Sequence, residues 1–574
     1  MTKQEATDPS SGPAIPPASG TGILTAPTMA RSSANMAAGT LASRVLGFVK
    51  GMILGVAVGG SPVASIFDAA NNLPNIIYLL VAGGVFNAVL IPQIVKASKR
   101  PDRGADFISR ILTLAVILLL AVTVLLTAAA RPVMMLTTDF TEQKLSLVTA
   151  FAALLLPQIF FYGFYSLLGQ VLNAHGTFAA YAWSPVVNNI IAIAGLVTFI
   201  AIAGSNAFSP HSVENWTSTQ TLILAGSATL GIVLQSLVLL WPLKRLGLGL
   251  RPKFGWRGVG LKATGKIAAW TMGTMVIGNL TFLLIGYVAT IATAAQTDEG
   301  NGTPIAGNFE LSRATEVYIL PHSVVALSIA TVLFTRIARA AADKDDDGVR
   351  TFLSQGLRTI GVATVFGAVA LLVLSGPFGM LFSGGNRQTA LNIAITLAIL
   401  AVGSPFLSAN FMMNRVFYAS ENAKTPFIIQ CLLIIFGVGT AVAAAFLPKD
   451  VIIFGLALSY TLGNILAVAV SHLFLRSRLG NYGTAGIFRS HLRFAGAAAA
   501  AGILGAAVLW ALGGFDLNGF SWHSIVTAAV TLAVVGLVMA VTYLAVLKVF
   551  KVSELADFLD PLLARFRGRV PVRR

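Results

Sequence analysis

Long apolar runs separated by short polar stretches dominate the chain. The run at 111–130 (ILTLAVILLLAVTVLLTAAA) carries no charge, and another apolar run covers 186–203. At 1.5 Å per helical residue, roughly 20 residues cross a hydrocarbon core of about 30 Å. Because backbone in lipid must satisfy its own hydrogen bonds, each such run is expected to be a helix. Followed to its end, the pattern predicts spans near 34–58, 64–95, 107–130, 146–172, 180–203, 220–242, 267–291, 311–335, 352–380, 388–413, 425–447, 451–473, 494–513 and 523–547. That is an all-α polytopic membrane protein with about fourteen transmembrane helices. The second, ninth and tenth spans are long enough to tilt or break, at Pro74, Gly376-Pro377 and Pro405.

Composition agrees and removes other classes. Of 574 residues, 56% are hydrophobic and 11% charged, with a mean hydropathy of +0.80. No soluble, secreted, fibrous or disordered protein has that balance. The net charge of +17, from 39 Lys and Arg against 22 Asp and Glu, would suggest nucleic acid were the basic residues not placed between spans. With the N-terminus in the cytoplasm, Lys96, Lys99, Arg100, Arg103 and Arg110 fall on one side with Lys244 to Lys266 and Arg476 to Arg493. The opposite side holds only Arg131, Lys144, Arg387 and Lys449. The positive-inside rule then places both termini in the cytoplasm. Membrane lipids are the partners expected for the basic loops, and no nucleic acid is expected. Residues 1–33 read as a disordered cytoplasmic tail and 549–574 as a basic one. Cys431, the single cysteine, permits no disulfide and no cysteine-based metal site.

Two segments of the first half recur in the second. Leu73-Pro74 pairs with Leu320-Pro321, and the string 89–94 with 332–337. Pro157 pairs with Pro405, and 170–172 with 415–417. Six spans per repeat is an even number, so the halves share one orientation. The expected organisation is two six-helix lobes in parallel repeat, 34–242 and 243–475, followed by helices 13 and 14 within 476–548. Such lobes can rock about a substrate, which favours transport over catalysis. No nucleophile with its base, histidine pair or phosphate loop stands out, so no enzyme, catalytic residue, metal or cofactor is expected. Gly55 to Gly60 reads as a flexible turn at a span end.

Charges inside a bilayer are expensive and mark function by default. Span 1 carries Arg44 and Lys50, span 2 Asp68, span 8 Arg313, Glu316 and His322, and span 9 Arg358. A cavity shared by spans 1, 2 and 8 would be cationic and suit an anionic substrate. Plainer roles stand beside this one. Arg44 and Lys50 could snorkel, Arg313 and Glu316 could simply pair at i, i+3, and Asp68 could cap a helix or close an outer gate. His322 reads as a hydrogen-bonded packing residue. Asn71, Asn72, Asn75 and Asn87 read as interhelical hydrogen-bond groups or polar cavity lining.

Ser43-Arg44-Val45-Leu46-Gly47-Phe48-Val49-Lys50, then Phe67-Asp68-Ala69 and Leu73-Pro74-Asn75, resembles the opening of the bacterial MurJ (MviN) lipid II flippases. Leu172-Asn173-Ala174-His175-Gly176 and Phe417-Tyr418-Ala419 with Lys424-Thr425-Pro426 extend the resemblance over roughly 35–475. It implies the fourteen-helix fold of the multidrug/oligosaccharidyl-lipid/polysaccharide exporter superfamily. It also implies carriage of lipid-linked peptidoglycan precursor (lipid II) from the inner to the outer leaflet of a bacterial cytoplasmic membrane. Cell-wall synthesis proteins are then candidate partners. On this resemblance Arg44 and Lys50 match essential cationic positions and Asp68 the second-helix acid. The chain departs from the family in three respects. Tyr78 and Leu79 stand for an arginine pair, and Ala82-Gly83-Gly84 for A-E-G, nearer the actinobacterial form. The eighth-helix arginine aligns at Glu316, with Arg313 one turn away as substitute. Asn422 replaces an acid, and spans 7, 11 and 12 hold no carboxylate, against a family-type sodium site. The expected substrate clamp is Arg44, Lys50 and Arg313, with Asp68 and Glu316 as gate or ion pair and Asn71, Asn75 and Asn87 lining the cavity. Alternatives are a flippase for another lipid-linked oligosaccharide and a non-transporting membrane scaffold.

Overall fold

A computed structural model describes residues 26–80, 94, 97–206, 211–255, 265–296, 305–552 and 554. Among these every regular element is helical. The first bundle comprises α1 (Ala26–Val58), α2 (Pro62–Tyr78), α3 (Ala105–Ala128), α4 (Ala130–Thr137), α5 (Glu142–Leu155), α6 (Gln158–Ala174), α7 (Phe178–Ala203), α8 (Ser218–Leu237) and α9 (Leu240–Arg245). The second holds α10 (Gly265–Ala294), α11 (Asn308–Tyr318), a π turn at His322–Ala326, α12 (Leu327–Ala342), α13 (Asp346–Val373), α14 (Ser375–Phe382), α15 (Arg387–Ala419), α16 (Lys424–Ala445) and α17 (Ile452–Leu479). Two further helices, α18 (Thr484–Ala511) and α19 (Ile525–Val549), pair with each other and pack on α13 and α14.

Thirteen helical segments among the described residues are long and apolar enough to cross a membrane. The second expected span is described only as far as Leu80, and the repeat string 89–94 lies almost wholly outside the described residues. Local chemistry sets the helix ends. Thr217 and Gln220 form a capping box at α8, the Asp345 side chain accepts the Gly348 N–H at α13, and Asn386 accepts the Thr389 N–H at α15.

Proline breaks some spans and not others. The fourth divides around Pro157 into α5 and α6, and the ninth divides at Leu374, just before Gly376-Pro377. Pro74 and Pro405 instead lie inside continuous helices. Neighbouring helices and small residues can satisfy the carbonyl that a proline leaves free, so a proline alone need not end a membrane helix. The eighth span is bent where Pro321 precedes the π turn. Gly55 and Val58 are helical rather than part of a flexible turn. The turn begins at Gly59-Gly60, where Gly60 adopts φ +81°.

Within the first bundle α1 packs on α7, α7 on α8, and α2 on α5 and α6. In the second, α15 is central, flanked by α11 to α14 and by α17. The bundles touch through α1 with α14, α2 with α10 and α11, and α4 with α10. All four contacts lie toward one end of the molecule, here called the closed end. At the opposite end no hydrogen bond or ion pair among the described residues joins the bundles. The segment 246–255 lies along α3 there: Arg103 donates to the Leu246 carbonyl, and Lys253 pairs with Asp106 at 2.7 Å.

Candidate functional site

The proline-bent eighth span and the second span bring three charges together at the closed end. Arg313 on α11 sends Nη2 to within 3.3 Å of Asp68 Oδ2 on α2, and Nη1 to 3.0 Å from Glu316 Oε2 one turn along its own helix. The Arg313 and Asp68 side chains are 6% and 1% exposed, whereas Glu316 is 45% exposed, so only the last meets open space. The ring of Phe309 lies 5.4 Å from the guanidinium, and Nε is buried without a partner. Asp68 thus makes a bond between the two bundles. A buried pair of this kind contributes little net stability when complete, but removing one partner costs about 3–5 kcal/mol, because the other charge is left buried.

Neutral bonds surround the bridge. The Phe309 N–H donates to Ser65 Oγ at 3.2 Å, Asn72 donates to Ser312 Oγ at 3.2 Å, and the Asp139 N–H donates to Thr290 Oγ1 at 2.9 Å. Glu310, buried in the first turn of α11, accepts the Gly307 N–H at 2.8 Å. Lys144 on α5 donates to the carbonyls of Thr293, Ala294 and Gln296 at 3.1, 2.9 and 2.6 Å, where α10 ends. Gly51 and Gly55 on α1, and Gly59 just past its end, fall at i, i+4, i+8 against the end of α14 and the residues after it. A Cβ at Gly55 would stand 2.0 Å from the Phe382 carbonyl oxygen, and one at Gly51 would meet Phe382, Glu316 and Arg313. Only glycine allows this approach of backbone to backbone.

Lys50, half-buried on α1, is within electrostatic reach of Glu316, Arg313 and Asp68 but forms no ion pair among the described residues. Arg44, also half-buried and without an ion pair among the described residues, lies further toward the open end and within electrostatic reach of His322. Thus the two α1 cations face groups of the second bundle. Asp68, Asn72 and Asn75 follow one another along a face of α2, from the buried bridge to an exposed amide. Asn71 is half-buried, and Asn87 lies outside the described residues. His322 bonds Ser408 Oγ at 3.1 Å and sets its ring edge-on to Phe411. Arg358 stands apart, 3.5 Å from Glu554 beyond α19. A largely apolar crevice of about 380 Å³, lined by Leu372, Gly376, Ala394, Leu509 and Trp522 among others, lies between α13 to α15 and α18.

The sequence alone places Lys144 only by topology and does not mark Gly51, Gly55 and Gly59 as a contact stripe. The i+4 spacing of Gly51, Gly55 and Gly59 was the available signal for the stripe. For Lys144 it was a rare lysine on the side poor in basic residues.

A family model described as lipid II flippase MurJ matches residues 54–513. The lipid II flippase MurJ of Burkholderia cenocepacia is 26% identical over 495 residues, covering 84% of this chain and 89% of its own. The probable lipid II flippase MurJ of Haemophilus influenzae is 25% identical over 423 residues, 70% of this chain and 78% of its own. Among solved structures, a lipid II flippase MurJ in an inward closed conformation superposes with a TM-score of 0.67 at 17% identity, over 92% of this chain and 99% of that one. An inward-facing MATE family multidrug resistance transporter of the MOP superfamily gives 0.61 at 15% identity, over 77% and 96%. These two likenesses show the fold.

Proposed function

Because the chain belongs to the MurJ lipid II flippase family, we propose that it moves undecaprenyl-diphosphate-linked peptidoglycan precursor from the inner to the outer leaflet by alternating access. The observation that carries this reading is the Asp68–Arg313–Glu316 bridge, which joins the two bundles at one end, with Lys50 beside it and Arg44 further toward the other end, neither in an ion pair among the described residues. A diphosphate cannot cross hydrocarbon without compensation for its charge, and a sugar-peptide headgroup needs a wet cavity. Arg44 and Lys50 receive the diphosphate between the bundles. Its charge competes with Asp68 and Glu316 for Arg313, and transfer of Arg313 to phosphate releases the tie that holds the closed end shut. The bundles then rock and expose the cavity on the other side.

In this reading the closed end faces outward, because its loops hold Lys144, Arg387 and Lys449 while the opposite loops collect the basic clusters. Lys244→Cys and Lys449→Cys, each in a Cys431→Ser background, should react with impermeant reagent from opposite faces, Lys449→Cys from outside. The polyprenyl tail stays in lipid against α18 and α19. Delivery to the outer leaflet supplies cell-wall polymerising enzymes, the partners this reading calls for. The deciding experiment reconstitutes the full chain in vesicles with labelled lipid II and reads its accessibility in each leaflet. Transport of other lipid-linked oligosaccharides but not of lipid II would replace the substrate, and no transport at all would leave a scaffold.

A further inference from the structure

Arg415 takes no part in the bridge and has no carboxylate partner among the described residues. It stands on α15 one turn before that helix ends at Ala419, at the end of the molecule away from the closed contacts. A cation so placed would ordinarily extend past its helix into headgroups. Arg415 does otherwise. Its guanidinium lies 4.3 Å from the centre of the Phe411 ring and 5.4 Å from that of Phe334 on α12, and its Nε is buried without any acceptor. Phe411 is itself fixed, because His322 meets it edge-on with ring centres 5.2 Å apart and is anchored by Ser408.

The direction of this face follows from helix geometry. Met412, Met413, Val416 and Phe417 turn into the core that α15 shares with α12, α13 and α17. Ser404, Ser408, Phe411 and Arg415, at i, i+4, i+7 and i+11, share another stripe of the helix; Ser404 and Ser408 are fully buried, Phe411 packs at the edge of that core, and Arg415 at the end of the stripe is half-buried. Arg44 on α1 of the other bundle is within electrostatic reach of His322. Through His322, which Ser408 bonds and Phe411 meets edge-on, this stripe of α15 is linked to the side on which α1 lies. The π turn at His322–Ala326 shifts the register of the eighth span where it supplies His322, and π turns recur at functional sites.

We infer that Arg415, braced by Phe411 and Phe334, is an anion-binding residue of the second bundle that engages the substrate headgroup at the open mouth before the bridge at the closed end is released. His322 is a positioning residue that holds Phe411. A guanidinium stacked on aromatic faces keeps its in-plane terminal N–H groups free for a two-point contact with carboxylate or phosphate. Arg415 lies at the mouth and Lys50 near the bridge, so the two cannot both grip one diphosphate. The headgroup carries anions of two kinds, diphosphate and peptide carboxylate, and either presents the same forked acceptor.

The inference rests on the flippase reading, and the test separates the two. Vesicles holding the full-length chain are given lipid II with its complete peptide, and in parallel the same lipid-linked disaccharide without peptide. Arg415→Gln should raise the half-saturating concentration about tenfold with the maximal rate nearly kept, and Arg415→Lys should recover only part of the loss. Phe411→Leu, which leaves the charge in place, should weaken binding in the same direction. A loss confined to the peptide-bearing lipid identifies the carboxylate as the anion, and an equal loss for both lipids identifies the diphosphate. Unchanged half-saturation for both lipids, with wild-type chain active, overturns the assignment of Arg415. A wild-type chain that moves neither lipid sinks the flippase reading and the assignment with it. Thermal unfolding of each variant in detergent, expected to match wild type, excludes a fold defect as the cause.

Discussion

Lys144 Nζ lies 2.6 Å from the carbonyl oxygen of Gln296, with the carbonyls of Ala294 and Thr293 next to it. A lysine of the first bundle thereby occupies the C-terminal end of a helix of the second. Carbonyls at a helix end carry the negative end of its dipole, so the ammonium is favoured there, although the Thr293 carbonyl also accepts the Gln296 N–H. The contact exists only while the bundles meet at this end. Lys144→Met should therefore favour separation there by roughly 1–2 kcal/mol, the upper range for a charge at a partly buried helix terminus. A disulfide between Asn72→Cys and Ser312→Cys, positions in contact across the closed end, reports closure. Its oxidation yield should fall in the Lys144→Met background, and an unchanged yield would show that Lys144 does not hold the gate.

The bridge makes a sharper prediction. Asp68→Asn leaves Arg313 buried with Glu316 alone, and Arg313→Gln leaves Asp68 buried with no cation. Each should weaken closure more than Lys144→Met does, by about 3–5 kcal/mol for a fully buried partner. The exchanged pair Asp68→Arg with Arg313→Asp restores opposite charges across the bundles but puts an acid where the phosphate must land. Cross-linking of the closed end should recover in the double variant while lipid II transport does not. Recovery of both would mean that Arg313 acts only as a gate, and recovery of neither would mean that the pair is not the tie between the bundles.

What the sequence disclosed divides along a physical line. The spans follow from apolar runs of bilayer length, so thirteen of the fourteen expected are found among the described residues, most near their expected limits, although the eighth begins at His322 and the thirteenth at Thr484. The Arg313–Glu316 pair was legible too, because i, i+3 spacing on a helix fixes proximity. Asp68 and Arg313 are 245 residues apart, and nothing local says which charges meet when two bundles close. Pro377 and Pro405 look alike in sequence, yet one lies at a helix break and the other inside a continuous helix, since neighbouring helices decide whether the freed carbonyl is satisfied. Arg415 near a helix end reads as an ordinary snorkelling cation, and only the rings under it and the buried Nε separate it from one.

The glycine stripe of α1 offers a test free of charge. At Gly55 an added Cβ would fall 2.0 Å from the Phe382 carbonyl oxygen, and at Gly384 one would fall 2.1 Å from the Gly55 carbonyl oxygen. Backbone cannot yield as a flexible side chain can. Gly55→Ala should cost the closed contact about 1–3 kcal/mol, as overpacking does elsewhere. The Asn72→Cys/Ser312→Cys disulfide should form less completely, and lipid II should be moved more slowly, while expression stays near wild type. Gly463, a helical glycine with open space around it, is the control, and Gly463→Ala should change neither readout. Equal effects at the two sites would point to helix flexibility rather than close approach.

His211 lies outside the spans, in the segment joining α7 to α8. It is buried between Phe199 and Trp216, with Nε2 3.4 Å from the Gly204 carbonyl. Burial holds its pKa below the ordinary 6.5, and the backbone carbonyls of Gly204 and Ala57 oppose that only in part. The folded chain therefore favours the neutral ring, while the unfolded chain takes up a proton as the pH drops through 6.5. Stability rises with pH wherever the unfolded state binds more protons, so this histidine contributes fully above about pH 7 and its contribution is lost as the pH falls below 6.5. Unfolding temperature in detergent should accordingly decline between pH 7.5 and 5.5. The decline should be shallower in His211→Phe, which keeps the ring among Phe199 and Trp216 and cannot titrate. The comparison with the variant isolates this group from every other titrating residue. If the two profiles run parallel, the His211 ring is charged at no cost in the folded protein, and its packing against Trp216 does not exclude the proton.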